Sequence, residues 1–252
     1  MQSALLRFYD GSMTIADVGS TITALDRSIT LALNQLVGQS PIFDLLVFYT
    51  ADMNLLKGVP FMAAAWFLWF HRGGAARPHV VNLMIIALLA IATARILQLG
   101  MPSRLRPLDD PTLALALAAH VTHDVLHDWS SFPSDHATMF FAMAAALVPV
   151  SGRLASLAFA WVAIVICLPR LYLGFHYTSD VIAGAIIGIV VAFIYLRLPV
   201  QNLTRWILKL SVRLPGLFYA GAFVFTFEIS FLMGDVRQLG MQAVKLLHRL
   251  TS

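Results

Sequence analysis

Six apolar runs, at residues 55–70, 80–99, 137–150, 154–173, 181–196 and 217–233, are separated by more polar segments. A helix crossing a bilayer takes about 20 mostly apolar residues, so four of these runs predict spans outright. The runs at 55–70 and 137–150 are short, and the first carries Lys57 near its start. Their polar ends would sit recessed at the bilayer edge, where a lipid headgroup lies. Upstream, Leu25, Ile29, Leu33 and Leu36 recur at helical spacing, with Asp26, Asn34 and Gln35 off that face. Gly38 and Pro41 end that helix and begin another over 42–50, which carries Asp44. Both are too short and too polar to span, and are predicted to lie along the membrane surface; the alternative is a weak first span. The pattern predicts an all-α fold: a polytopic membrane helix bundle of about six transmembrane helices with N-terminal interfacial helices. It divides into an N-terminal segment (1–54), a membrane core (55–197), and a final part (198–252) holding a cytoplasmic linker, one extra span and a tail.

Composition supports this division. Hydrophobic residues make up 59% of the 252, and charged ones only 12%, against about 25% in a soluble domain. The mean hydropathy is +0.79. A net charge of +4, spread thinly, carries no nucleic-acid signal. The lone Cys167 excludes a disulfide framework. No basic start followed by an apolar run opens the chain, since Asp10, Asp17 and Asp26 interrupt the first forty residues. The bases orient it instead. Arg72, Arg77, Arg153, Arg197, Arg205, Lys209 and Arg213 fall on one side of the predicted spans. The aspartate-rich loop 101–132, with Arg104 and Arg106 as its bases, falls on the other. The excess of cytoplasmic Lys and Arg in membrane proteins places that loop outside, although Arg237, Lys245 and Arg249 in the tail argue against it. Gly184 and Gly188 form a small-xxx-small step for close helix packing. Glu228, costly within an apolar run, is expected to face the bundle.

The chemistry gathers at the ends of residues 133–180. Pro133-Ser134-Asp135-His136 opens this stretch, and Arg170, His176 and Asp180 close it, with apolar sequence between. Folding the hairpin back brings these costly polar groups to one membrane face. A carboxylate near a histidine can hold one ring nitrogen and free the other to attack or to take a proton. Arg170 offers a planar fork for phosphate oxygens. Ordinary helix capping by Asp180 is the competing explanation. Ser134 and His136 precede a helix whose first N–H groups favour an anion, and His136 is placed to donate a proton. With Arg104-Leu105-Arg106-Pro107 nearby, the set reads as a phosphate site.

These residues resemble the type-2 phosphatidic acid phosphatase superfamily, whose signatures are K-x6-RP, PSGH and SR-x5-H-x3-D, over about residues 25–197. The resemblance implies a metal-independent, cofactor-free membrane phosphatase acting on a lipid phosphate through a covalent phosphohistidine. His176 would be the nucleophile, Asp180 its orienting partner and His136 the general acid. Arg106, Arg170 and Ser134 would hold the phosphoryl group, with Arg104 and Asp135 beside them. Three positions depart from the pattern. Leu99 stands where the lysine belongs, leaving Arg104, or else Arg95, to supply that cation. Pro169 replaces the serine before Arg170. Asp135 replaces a glycine, which resembles the PSDH form of the undecaprenyl pyrophosphate phosphatase branch. The expected substrate is therefore undecaprenyl pyrophosphate, at the outer face of a bacterial cytoplasmic membrane. Phosphatidic acid, phosphatidylglycerol phosphate and lipid A are alternatives, as are a phosphotransferase and a non-catalytic lipid-phosphate binder. His120, His123 and His127, with Asp124 and Asp128, form a second polar set, read either as a wet helix over the entrance or as a zinc site. No protein partner is implied.

Overall fold

The structure, a computed structural model, describes residues 14–118, 120–122 and 129–234, and contains no strand among them. Three helices open the chain: α1 (Ile15–Asn34), α2 (Pro41–Asp52) and α3 (Asn54–Phe70). The core follows as α4 (Arg77–Gly100), α5 (Asp135–Ala146), α6 (Gly152–Tyr172) and α7 (Thr178–Arg197). The amphipathic α8 (Gln201–Arg213) and apolar α9 (Pro215–Ser230) come last. Helices α4, α6 and α7 are each long and apolar enough to cross a membrane. Large apolar side chains stand exposed on them, among them Ile96 on α4, Ile164 on α6 and Phe193 on α7. Such outward apolar faces suit lipid, where a helix satisfies its own backbone.

Where the pattern separated a surface helix from a short span, the structure joins them. Helices α2 and α3 meet at a 44° bend and together are apolar enough for one broken span. The break is Met53, whose extended backbone (φ −68°, ψ 116°) ends one helix and caps the next. Pro60 lies inside α3 and has no N–H for the Leu56 carbonyl. That carbonyl takes the Trp161 indole N–H instead, at 2.9 Å, tying α3 to α6. A comparable device sits in α6, where residues Val162–Cys167 widen into a π turn just before Pro169. Proline cannot donate to Val165 four residues back, and a π turn absorbs the missing bond.

The apolar run at 137–150 forms the 12-residue α5, shorter than a span. It is wrapped on all sides: Ala137, Met139, Phe140, Ala142 and Met143 have no exposure. A helix apolar all round belongs in the centre of a bundle. Helix α7 lies against it through Gly184 and Gly188. A Cβ added at Gly188 would stand 2.1 Å from the Thr138 carbonyl oxygen, and one at Gly184 would stand 2.6 Å from that of Ser134. Only hydrogen fits there.

Helix α1 starts with a capping box between Thr14 and Asp17. Its polarity is inverted relative to a soluble helix: Asp26 is buried while Leu25 and Ile29 are exposed. An apolar face outward suits the predicted seat along a bilayer. The turn after α1 is fixed by Asp44, which accepts from Gly38 N–H at 2.9 Å and from the Tyr172 hydroxyl at 2.5 Å. Gly38 has φ +82°, a conformation glycine adopts without strain.

Candidate active site

Four helix ends converge on one side of the bundle: the C-termini of α4 and α6 and the N-termini of α5 and α7. Between them lies a cavity of about 300 Å³. Its wall includes Lys57, Arg95, Arg106, Asp135, His136, Arg170 and His176, with Trp129 and Phe175 as aromatic sides. Cations from four chain segments therefore face one space.

His176 sits in the turn between α6 and α7, which Gly174 makes possible at φ +72°. The Gly174 carbonyl accepts Leu108 N–H at 2.9 Å, locking this turn to the segment that carries Arg106. His176 Nδ1 lies 2.9 Å from the Ser131 carbonyl oxygen. A carbonyl only accepts, so Nδ1 carries the hydrogen and Nε2 keeps its lone pair. The Ser131 carbonyl, not Asp180, is thus the close partner of this ring: Asp180 Oδ2 is 3.8 Å from Nδ1. Asp180 is fully buried and caps α7 through Tyr177 N–H at 2.8 Å. Burial in the turn pushes the imidazolium of His176 below its ordinary range, although Asp180 pulls the other way.

His136 stands in the first turn of α5. Its Nδ1 lies 2.9 Å from Asp135 Oδ1, and its backbone N–H donates to the same oxygen at 2.8 Å. A carboxylate likewise only accepts, so the His136 Nε2 is the free nitrogen. The other Asp135 oxygen meets Arg95 at 2.6 Å. Asp135 was expected among the phosphate contacts; its oxygens instead orient His136 and hold Arg95, which also stands 5.0 Å over the Trp129 ring.

Two further expectations are corrected by position. Ser134 is fully buried, caps α5 by accepting Ala137 N–H at 3.4 Å, and does not line the cavity. Arg104 does not line it either. Its guanidinium donates to Asp180 (2.6 Å), Ser179 Oγ (2.8 Å) and Asp26 (2.8 Å), behind the site. It braces α7 against α1. The fold turns the chain after α4 so that Arg106 enters the cavity and Arg104 leaves it. Leu99, at the position of the signature lysine, is 79% exposed. Arg95, one turn earlier on α4, does reach the cavity.

Arg106 and Arg170 are both buried. Arg106 Nη1 donates to the Phe175 carbonyl at 2.7 Å, and Arg170 Nη2 approaches that of Ala51 at 3.5 Å. The Nε of each has no hydrogen-bond partner. A buried donor left unpaired costs about 1–3 kcal/mol, and both belong to residues that line the cavity. Among the described residues no three His, Cys, Asp or Glu side chains are placed to share a metal ion. Of the second polar set, His120 is exposed beside Phe48, with ring centroids 5.9 Å apart. His123, Asp124, His127 and Asp128 lie outside the described residues, as do the tail bases from Arg237 on.

The profile of the PAP2 superfamily matches residues 84–203, a stretch containing both histidines, Arg106, Arg170 and Asp180. Over this stretch the chain is similar to the PAP2 superfamily. Over 170 residues, 65% of this chain and 79% of the relative, it is 28% identical to the putative undecaprenyl-diphosphatase YbjG of Escherichia coli K12. Over 204 residues, 76% of this chain and 83% of the relative, it is 28% identical to the lipid A 1-diphosphate synthase of the same organism. Among solved structures, the transmembrane PAP2-type phosphatidylglycerolphosphate phosphatase from Bacillus subtilis is similar at a TM-score of 0.49 and 19% identity. That likeness covers 77% of this chain and 92% of the other. The chain is a membrane enzyme of the metal-independent lipid phosphatase class.

Sequence reasoning missed two parts of this site. Lys57 was legible as an ionisable residue inside an apolar run, which by itself points to function. The Ser131 carbonyl was not legible, because residue type does not say where a backbone oxygen will point.

Proposed function

We propose that this enzyme hydrolyses undecaprenyl pyrophosphate to undecaprenyl phosphate at the outer face of a bacterial cytoplasmic membrane. The observation that carries this reading is a histidine with one free nitrogen, held beside two arginines whose Nε donors are unpaired. Nε2 of His176 attacks the terminal phosphorus, forming a P–N bond as the P–O bond to the lipid phosphate breaks. Arg106 and Arg170 take up the charge on the transferring oxygens. His136, as imidazolium with its Nδ1–H on Asp135, gives its Nε2 proton to the departing oxygen. The neutral ring then takes a proton from water. The water oxygen bonds to phosphorus, the P–N bond breaks, and inorganic phosphate leaves with His176 restored. Asp180 and Arg104 position the His176 turn from behind.

The outward orientation is supported by topology. Arg77, Arg153 and Arg197 lie at the opposite helix ends from the cavity, as cytoplasmic bases would. The substrate is supported by Asp135 within Pro133-Ser134-Asp135-His136 and by the name of one relative. An equally similar relative is named as a synthase, which favours a second reading: the same phosphohistidine handing its phosphoryl group to a lipid acceptor. The test is phosphate release by detergent-purified protein in chelator, with undecaprenyl pyrophosphate, phosphatidic acid and phosphatidylglycerol phosphate compared. Fastest release from the first supports the proposal. Preference for another lipid moves the substrate, and release only on adding an acceptor lipid selects the synthase reading.

The rate should also report the state of His176. A proton on Nε2 removes the attacking lone pair, and burial disfavours that proton. The acid limb of kcat/KM is therefore expected below the ordinary histidine value of about 6.5. A limb at or above that value would contradict a buried histidine as the nucleophile.

A further inference from the structure

We propose that Lys57 is a phosphate-binding residue of the cavity, supplying from the α2–α3 bend the cation that Leu99 fails to supply from α4. The inference rests on the phosphatase reading only in taking a phosphoryl group as the ligand. Lys57 is 6% exposed and lines the cavity beside Arg170. Its Nζ donates to the carbonyls of Ala51 (3.0 Å) and Asp52 (2.8 Å), the last residues of α2 before the break. An ammonium has three donors, and these two bonds leave one.

The Ala51 carbonyl is shared. Arg170 Nη2 approaches the same oxygen at 3.5 Å, so an ammonium and a guanidinium lean on one acceptor within a buried wall. Like charges so placed repel, and the wall carries two carboxylates, Asp52 and Asp135, against the four cations of Lys57, Arg95, Arg106 and Arg170. An anion between Lys57 and Arg170 offsets that repulsion. The Arg170 Nε has no hydrogen-bond partner, and Lys57 keeps one donor unused. Lys57 thus joins Arg106 and Arg170 as a donor to phosphoryl oxygens, although it comes from outside residues 84–203, where the family match lies.

The bland account is that Lys57 only caps the broken end of α2. Equilibrium binding of radiolabelled inorganic phosphate to the full chain in detergent separates the two, with melting temperature and lipid phosphate release measured in parallel. Lys57→Met is expected to weaken phosphate binding by about tenfold or more, as loss of a charged hydrogen bond does, and Lys57→Arg to restore most of it. Should Lys57→Met unfold, Lys57→Gln retains an amide that can donate to the Ala51 and Asp52 carbonyls while removing the charge, and the same loss is expected. Wild type that releases phosphate, with binding unchanged in the neutral variants, overturns the assignment of Lys57 and leaves the phosphatase reading intact. Wild type that neither binds nor releases phosphate overturns both.

Discussion

Replacing His176 by alanine is expected to lower phosphate release by about 10⁴-fold or more, the scale on which enzymes lose rate when a nucleophile is removed. The reason is geometric. His176 presents a ring nitrogen to the cavity with its tautomer already fixed by the Ser131 carbonyl. His136 is committed to Asp135 and stands ready for proton transfer. Without Nε2 no P–N bond forms, and water would have to attack a phosphoryl group whose in-line position the imidazole used to fill. The fold should survive: the alanine leaves one carbonyl without its donor, a cost of about 1–3 kcal/mol. Release rate and melting temperature together make the check, supplemented by acid-labile, base-stable label from a ³²P-lipid on the wild type alone. Activity within tenfold of wild type in a folded variant would remove His176 from the reaction.

The second large effect is structural and lies remote from any phosphate. Gly188→Val is expected to destabilise the protein by about 3 kcal/mol or more, at the upper end for overpacking. Even the first added carbon meets the Thr138 carbonyl oxygen at 2.1 Å and the Ala142 nitrogen at 3.0 Å. These are backbone atoms of a buried helix, so no rotamer relieves the clash and α7 must move off α5. Activity should fall with stability, because α5 carries His136 and α7 carries Asp180, while Ser134 N–H bonds to the Asp180 carbonyl at 3.1 Å across the seam. Gly221→Ala on α9 is the control: nothing lies within 4 Å of its added carbon, so a small gain in helix propensity of about 0.5–1 kcal/mol is expected. Equal melting temperatures for Gly188→Val and wild type would contradict the packing described.

Spacing alone carried much of the site. Arg170, His176 and Asp180 sit at intervals set by a helix end, a turn and the next helix start, and such local geometry travels with sequence. The two glycines of α7 were legible for the same reason, since a four-residue step marks one helical face. Arg104 was not. Two residues apart in a loop, Arg104 and Arg106 point opposite ways, and that choice is made by Asp26 on α1 and Phe175 beyond α6. That the short α5 is wrapped by other helices was not legible, because hydropathy cannot distinguish lipid from protein as the apolar surroundings. Among the described residues, three helices are long and apolar enough to cross a membrane, or four if the bent α2–α3 pair is one span. Lys57 reaches the site only because the chain breaks at Met53, and the backbone angle there is a product of tertiary packing.

Helix α9 lies beyond every signature residue, yet Phe231 and Leu232 at its end form part of the cavity wall. Its seat is fixed by Gly58, next to Lys57, where an added carbon would meet the Ser230 Cα at 2.4 Å. The consequence concerns biosynthesis. A nascent chain that has already inserted both histidines and both arginines still has an open flank until α9 emerges from the ribosome and docks against α3. The cavity wall is therefore closed by one of the last described helices to be made, after both histidines and both arginines are already in place.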